Sequence, residues 1–463
     1  MNNSQQQKQT PNEQNQKKHK NTLEIFIHAQ IASLGSFYSG YALGELNMAL
    51  EKLDIAYDII NSKYIDLYNG FLTGAVPLGA ALGCLLSGIL LSKFGRRQLF
   101  MYCDFLGIIL GFIFLIQNFQ TAVIVRFIMG LLVGINSTVV PLYIREISPV
   151  ILNSQTHELS QNIVKNTYKP QYIEEIIQEI QAETTAKKNQ NDTFTLIFSK
   201  QYRSRLKLGS IISLFQQTCG INAIVFYSSK IFLEATGNKI LANYMTVFSG
   251  LILIVFTFNA SFFTKKYGRK TIFQFGHFFL MFLLLLISIS LSFSQKQQNN
   301  SQQQNQLQDI QQEQQSEQNE EEPAKNLQFF IIFLIYLHLM TFSLSIGPVT
   351  WIYNADFLNS EKALGFCTAV NWSCTFLIGL FIPTLQNLFG ISNLFLVFAV
   401  LSLGSFIYIT LFAKETFGLN QQQIVQIFAD QCDKIELQNI NTAEDKNEEE
   451  EEDSYKQNKY YIE

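Results

Sequence analysis

The residues of this 463-residue chain best suited to chemistry are polar side chains set inside apolar runs. Arg126 lies within the apolar stretch 121–143, where a guanidinium is costly and normally faces a partner or a wet cavity. The segment Gln216-Gln217-Thr218-Cys219-Gly220-Ile221-Asn222 concentrates carboxamides. Trp351 closes Gly347-Pro348-Val349-Thr350-Trp351, and Asn371 directly precedes Trp372. Carboxamides donate and accept hydrogen bonds at once. An indole offers an apolar face with a polar N–H. This is the chemistry of non-covalent recognition. On the residues alone a second reading stays open, in which Gln216 and Gln217 only bond neighbouring helices. Paired carboxylates, a nucleophile–base pair and a metal-ligand cluster are all missing from any common cavity, so neither an enzyme nor a metal or cofactor is expected.

A loop recurs. Phe94-Gly95-Arg96-Arg97 and Tyr267-Gly268-Arg269-Lys270 each pair a glycine turn with two cations after an apolar run. The recurrence suggests an internal repeat, the usual construction of secondary transporters. Two unrelated basic turns are the alternative. His28, His277 and His338 have no polar partner one turn away and read as packed histidines rather than a proton relay. The cysteines at 84, 103, 219, 367, 374 and 432 show no disulfide or zinc spacing and read as buried thiols.

These residues must be positioned by membrane-spanning helices. The chain is 48% hydrophobic with 41 Phe, while charged residues make up only 15%. Polar segments at 1–22, 153–193, 294–326 and 415–463 separate runs of the length that crosses a hydrocarbon core. The spans fall at 24–46, 66–91, 99–117, 121–143, 206–233, 240–263, 271–293, 327–355, 363–386 and 391–412. They should be helices, since each must satisfy its own backbone, and the runs are too long and continuous for a β-barrel. Lys93, Arg96, Arg97, Arg145, Arg203, Arg205, Lys207, Lys265, Lys266, Arg269, Lys270 and Lys362 fall in one set of loops, which places both termini in the cytosol. The first span should serve as its own insertion signal. Segment 294–326, rich in Gln and Asn, then lies outside as a disordered loop with a candidate sequon at Asn299-Asn300-Ser301. Tyr172, Ile173, Ile176, Ile177 and Ile180 mark a short amphipathic surface helix. Net charge is −4, with Glu448 to Asp453 in a solvated tail, and nothing suggests nucleic acid.

Together with Arg126-Phe127-Ile128-Met129-Gly130, Gly134, the run from Pro141 to Pro149, and Lys414-Glu415-Thr416-Phe417-Gly418, these motifs resemble the sugar-porter family of the major facilitator superfamily. The resemblance covers about 24–161 and 193–420; the order and spacing of the motifs carry it. It implies an all-α, two-half bundle that carries a hexose-like sugar by alternating access within a lipid bilayer, with the plasma membrane as its commonest address. It implies sugar contacts at Gln161, Gln216, Gln217, Asn222, Trp351, Asn371 and Trp372. It assigns gating or structural roles to Arg96, Arg97, Arg126, Glu146, Arg269, Asp356 and Glu415, with Pro141, Tyr143 and Glu146 matching its Pro-x-Tyr-x-x-Glu pattern.

The family has twelve spans and this sequence has about ten. The pair after Gln161 is missing, through an incomplete gene model or splice form, or in a true ten-span descendant. The expected organisation is a disordered tail 1–22, an incomplete N-terminal half 23–161, a linker 162–205 with the amphipathic helix, a C-terminal half 206–414, and an acidic, Gln-rich tail 415–463. Gate charges also depart from the family: Ser92, Lys265, Asn153-Ser154 and Ser360-Glu361 stand where the family has charged or Arg-Gly positions, and Asp356 replaces a Glu. A weaker inward gate is expected. The Asp that proton-coupled relatives carry in the first span is Ala42 here, after Gly40-Tyr41, so Arg126 lacks that carboxylate; Glu45 could replace it. Facilitated diffusion is the favoured mode, with proton symport as the alternative. A non-transporting sensor and an inactive truncated carrier are further alternatives. Ser343 and Leu253 replace other family positions near the sugar and leave the preferred sugar open, and no motif sets an oligomeric state.

Overall fold

A computed structural model describes residues 22–147, 197–236, 238–308, 321–358, 360–419 and 421–428. The described residues form helices and no strand. They are α1 (Thr22–Ala56), α2 (Ile65–Ile113), α3 (Phe119–Ile147), α4 (Lys200–Thr218), α5 (Ile221–Thr236), α6 (Lys239–Lys266), α7 (Arg269–Gln308), α8 (Glu321–Leu344), α9 (Ile346–Phe357), α10 (Glu361–Phe389), α11 (Ile391–Phe412) and α12 (Gln421–Phe428). Among the described residues seven helical stretches are long and apolar enough to cross a membrane. Each span read from the sequence coincides with a helix or with two helices in line. Helix α2 holds two spans, bent at Gly95, where φ is +69°. One span is broken into α4 and α5 at Gly220, where φ is +82°. Another is broken into α8 and α9 at Ser345, just before Gly347-Pro348; Pro348 has no N–H to donate, which the first turn of α9 tolerates.

Helices α2 and α3 meet through small residues. A Cβ added to Gly79 would stand 2.1 Å from the Phe127 carbonyl oxygen, and one added to Gly134 would stand 2.0 Å from that of Ala80. Gly83 and Gly130 are equally tight, so two small-xxx-small stripes press backbone on backbone. The halves join mainly where α2 packs along α10, with α1 against α5 beside them. Helix α6, which precedes the second basic turn as the first part of α2 precedes the first, is mostly exposed instead.

The segment expected to be disordered at 294–326 differs in part. Helix α7 runs on to Gln308, and α8 starts at Glu321. No Gly or Pro lies between Ser294 and Gln308, Gln is a good helix former, and adding turns to an existing helix avoids the nucleation cost. The start of the expected tail is also structured. Ile424 and Phe428 of α12 are buried, and Phe428 stacks on Phe357 with ring centroids 4.9 Å apart. Gln161, the amphipathic stretch, Asn153-Ser154 and the place of the missing pair lie outside the described residues.

Candidate functional site

The break between α4 and α5 gathers the carboxamides. Gly220 supplies the left-handed backbone, so Gln216 and Gln217 end one helix and Asn222 begins the next. All are buried, as is Asn371 on α10. Asn371 Nδ2 donates to Gln216 Oε1 at 2.6 Å and to the Ser213 carbonyl at 2.9 Å. Gln217 Nε2 donates to Asn371 Oδ1 at 2.6 Å. Asn222 Nδ2 donates to Gln217 Oε1 and, at 3.4 Å, to Thr375 Oγ1. Gln216 Nε2 donates to the Gly347 carbonyl at 2.8 Å. One network therefore ties α4, α5, α9 and α10 together. Its amides satisfy one another, which keeps their burial affordable.

Two indoles lie close to this network along the chain. Trp372 is buried beside Asn371, and its Nε1–H has no hydrogen-bond partner among the described residues. Trp351 is half-buried on α9, one turn beyond Gly347. The motifs did not single out Ser213 or Thr375. Thr375 could have been found, because it sits one helical turn after Asn371. In the N-terminal half, the Tyr38 hydroxyl and Asn136 Oδ1 are buried without partners among the described residues.

Arg126 is 1% exposed and fully engaged. Its Nη1 pairs with the Glu45 carboxylate of α1. Its Nη2 donates to the Ala42 carbonyl and its Nε to that of Leu72, both at 2.9 Å. The structure thus joins Arg126 to Glu45, less than one turn beyond the Ala42 position.

At the end of the bundle carrying the Gly-Arg-Arg turn, Arg96 Nη2 lies 2.9 Å from Glu361 Oε1, a tie between the halves. Glu361, part of the Ser360-Glu361 departure from the family pattern, lies in the first turn of α10, where a helix N-terminus favours an anion. Arg97 is exposed. Glu146 lies in the last turn of α3, and its side chain is outside the described set. In the C-terminal half, Arg269 Nε lies 3.3 Å from Asp356 Oδ2, and Thr416 Oγ1 donates to that oxygen at 2.8 Å. Glu415 accepts from the backbone N–H of Arg269 at 2.7 Å and of Lys270 at 3.1 Å, capping α7.

The opposite end carries ties of its own. Lys239 Nζ lies 2.6 Å from Glu51 Oε2, and Asn387 Nδ2 donates to Asp66 Oδ2 at 2.7 Å. Nearby, Asp54 accepts from Asn69 Nδ2 at 3.1 Å. Burial pushes the Asp54 carboxyl above the usual carboxylate range; the Asn69 bond opposes this and the Glu51 charge adds to it.

His277 is buried against the rings of Phe215 and Phe273, and His338 Nε2 lies 3.0 Å from the Cys219 carbonyl. Cys84, Cys103, Cys219, Cys367 and Cys374 are free thiols. Among the described residues no group of His, Cys, Asp and Glu could hold a metal ion.

The sequence pattern of the family described as sugar (and other) transporter matches residues 28–165 and 151–428. The chain belongs to that family. This transporter is 25% identical to plastidic glucose transporter 4 of Arabidopsis thaliana, over 85% of the chain and 78% of that protein. It is 23% identical to the arabinose-proton symporter of Bacillus subtilis, over 87% and 95%. It is 22% identical to facilitated glucose transporter member 3 of Canis lupus familiaris, over 89% and 94%. Its fold resembles the major facilitator superfamily proton:xylose symporter bound to 6-bromo-6-deoxy-D-glucose, with a TM-score of 0.71 at 17% identity, covering 88% of this chain and 100% of that one. The transporter is therefore a multi-pass membrane protein of the major facilitator fold.

Proposed function

We propose that the chain carries a hexose-like sugar by alternating access, binding it at the network of Gln216, Gln217, Asn222 and Asn371. The observation that carries this reading is that three amides clustered at the α4–α5 break and a fourth, Asn371, from far along the chain converge on one buried network. Sugar hydroxyls, like amides, both donate and accept, so a sugar can replace amide–amide bonds with amide–hydroxyl bonds one for one. Such an exchange costs little net hydrogen-bond energy, as a carrier that must release its cargo requires. The orphan Trp372 N–H offers a further donor, and Trp351 an apolar face for the ring. Relatives named for glucose and arabinose transport support the substrate class. Gln161 belongs to the same proposal through the family pattern alone. Both termini are assigned to the cytosol from the basic loops, and the plasma membrane is the proposed address. Arg96, Arg269, Asp356 and Glu415 are assigned to holding the basic end shut, with Arg97 and Glu146 beside them.

The favoured mode is facilitated diffusion. The Glu45–Arg126 pair supports a second reading, proton symport, because it gives a half-buried carboxylate to the arginine that Ala42 leaves without one. Uptake of labelled hexose into cells lacking their own carriers tests both. Equilibration without accumulation supports the facilitator. Accumulation that collapses with the proton gradient and returns when it is imposed overturns it in favour of symport. Binding without uptake overturns the carrier in favour of a sensor.

A further inference from the structure

We propose that the groove between α6, α7 and α8 binds one acyl chain of an anionic glycerophospholipid, whose headgroup is held by Lys265 and Lys266. The groove encloses about 560 Å³, within the roughly 300–1,000 Å³ of ligand sites generally. It exists because α6 and α7, although joined by a short turn, diverge and barely touch, leaving α8 as the floor. Along α7, Thr271, Phe275 and Phe279 line one wall at four-residue spacing, continuing to Leu283. At ~1.5 Å rise per residue this wall is about 18 Å long, enough to run the roughly 15 Å depth of one leaflet of a bilayer with a ~30 Å core.

The chemistry of the lining selects hydrocarbon. Apart from hydroxyls the wall is apolar, and the floor hydroxyls are already used: Thr341 Oγ1 donates to the Leu337 carbonyl at 2.8 Å and Ser345 Oγ to that of Thr341 at 2.5 Å. A polar solute would find little to bond there. The mouth is different. Tyr267 lines the groove, and the Lys266 ammonium lies 5.4 Å from the centroid of its ring. Lys265 and Lys266 are both exposed at the end of α6, where the hydrocarbon region gives way to headgroups. The nearby charges are already occupied: Arg269 pairs with Asp356, Lys270 Nζ donates to the Thr410 carbonyl at 3.0 Å, and Glu415 caps α7. Two cations thus stand over a hydrocarbon slot on the basic-loop side of the membrane, complementary to a lipid with a negative headgroup. This inference rests on the membrane-spanning fold and not on the sugar site.

The test is native mass spectrometry of the full chain released from nanodiscs of phosphatidylcholine doped with phosphatidylglycerol. Wild type should retain phosphatidylglycerol preferentially. Lys265→Gln/Lys266→Gln, a surface change, should cut that preference about tenfold or more. Thr341→Trp, which fills the groove, should reduce retention of the lipid with the lysines intact. Equal retention of both lipids by wild type, or an undiminished preference in the double lysine variant, would overturn the proposal. Loss with the lysine variant but none with Thr341→Trp would overturn the groove as the acyl site. Unchanged helical content by circular dichroism confirms that each variant is folded; if Thr341→Trp does not fold, Leu337→Trp fills the same floor.

Discussion

Arg96, after the bend in α2, pairs with Glu361 in the first turn of α10 at 2.9 Å, and so links the two halves at the end bearing the basic turns. The partners are 18% and 31% exposed, so solvent screens the pair and its worth is modest. A partly exposed pair contributes about 0.3–1 kcal/mol. Glu361→Gln should therefore shift the population open at this end up to about fivefold. Cysteine labelling at a site lining that opening reads the shift directly. The exchange Arg96→Glu/Glu361→Arg should return labelling towards wild type. Unchanged labelling in Glu361→Gln would remove the pair from the gate.

Glu45 and Arg126 are a different case, because Arg126 is 1% exposed. Removing one partner of a buried pair leaves an uncompensated charge and costs about 3–5 kcal/mol, whereas replacing both by apolar groups is often neutral. Arg126→Met alone should strip most folded protein from detergent extracts, measured as loss of the monodisperse peak in size-exclusion chromatography. Glu45→Leu/Arg126→Met should recover much of it. A double variant as damaged as the single one would show that the arginine matters for its bonds to the Ala42 and Leu72 carbonyls rather than for its charge.

Much of this is legible in the sequence alone. The spans were legible because lipid allows only helices there, so length and apolarity nearly suffice. The amides were legible because a buried polar group inside an apolar run is costly and stands out. What stayed hidden depended on three-dimensional register. Glu361 looked like a lost motif position, since nothing linear shows that Arg96 lies 2.9 Å away across the interface. Glu45 could be named as a substitute for a missing Asp because it lies on the same helix. The continuation of α7 to Gln308 was missed because composition was weighed as disorder, while the helix needed only the absence of a breaker.

Gln216 holds the amide network from both sides, donating to the Gly347 carbonyl and accepting from Asn371. Gln216→Ala removes the side-chain donor to the Gly347 carbonyl and leaves Asn371 Nδ2 with only its bond to the Ser213 carbonyl, a loss of about 0.5–1.5 kcal/mol per hydrogen bond. It should reduce hexose uptake by at least tenfold while the chain still reaches the membrane, scored by surface biotinylation. Asn371→Asp keeps the shape but removes donors to Gln216 and Ser213, and uptake should fall similarly. Full uptake in Gln216→Ala would sink the site assignment while leaving the carrier reading intact.

Gly134 and Gly111 separate packing from propensity. A Cβ at Gly134 would lie 2.0 Å from the Ala80 carbonyl oxygen, which is backbone and cannot swing aside, while one at Gly111 meets nothing within 4 Å. Both glycines are helical. Gly111→Ala should be neutral or stabilise by about 0.4–1 kcal/mol, through the reduced freedom of the unfolded chain. Gly134→Ala must push α3 off α2 and should cost at least the roughly 1–3 kcal/mol of an overpacked core. The displacement also moves the helix that carries Arg126, so uptake should fall together with stability. Thermal unfolding in detergent, followed by fluorescence of a thiol-reactive dye on the buried cysteines, ranks the pair. A Gly134→Ala protein as stable as wild type would mean that α2 and α3 do not meet backbone on backbone.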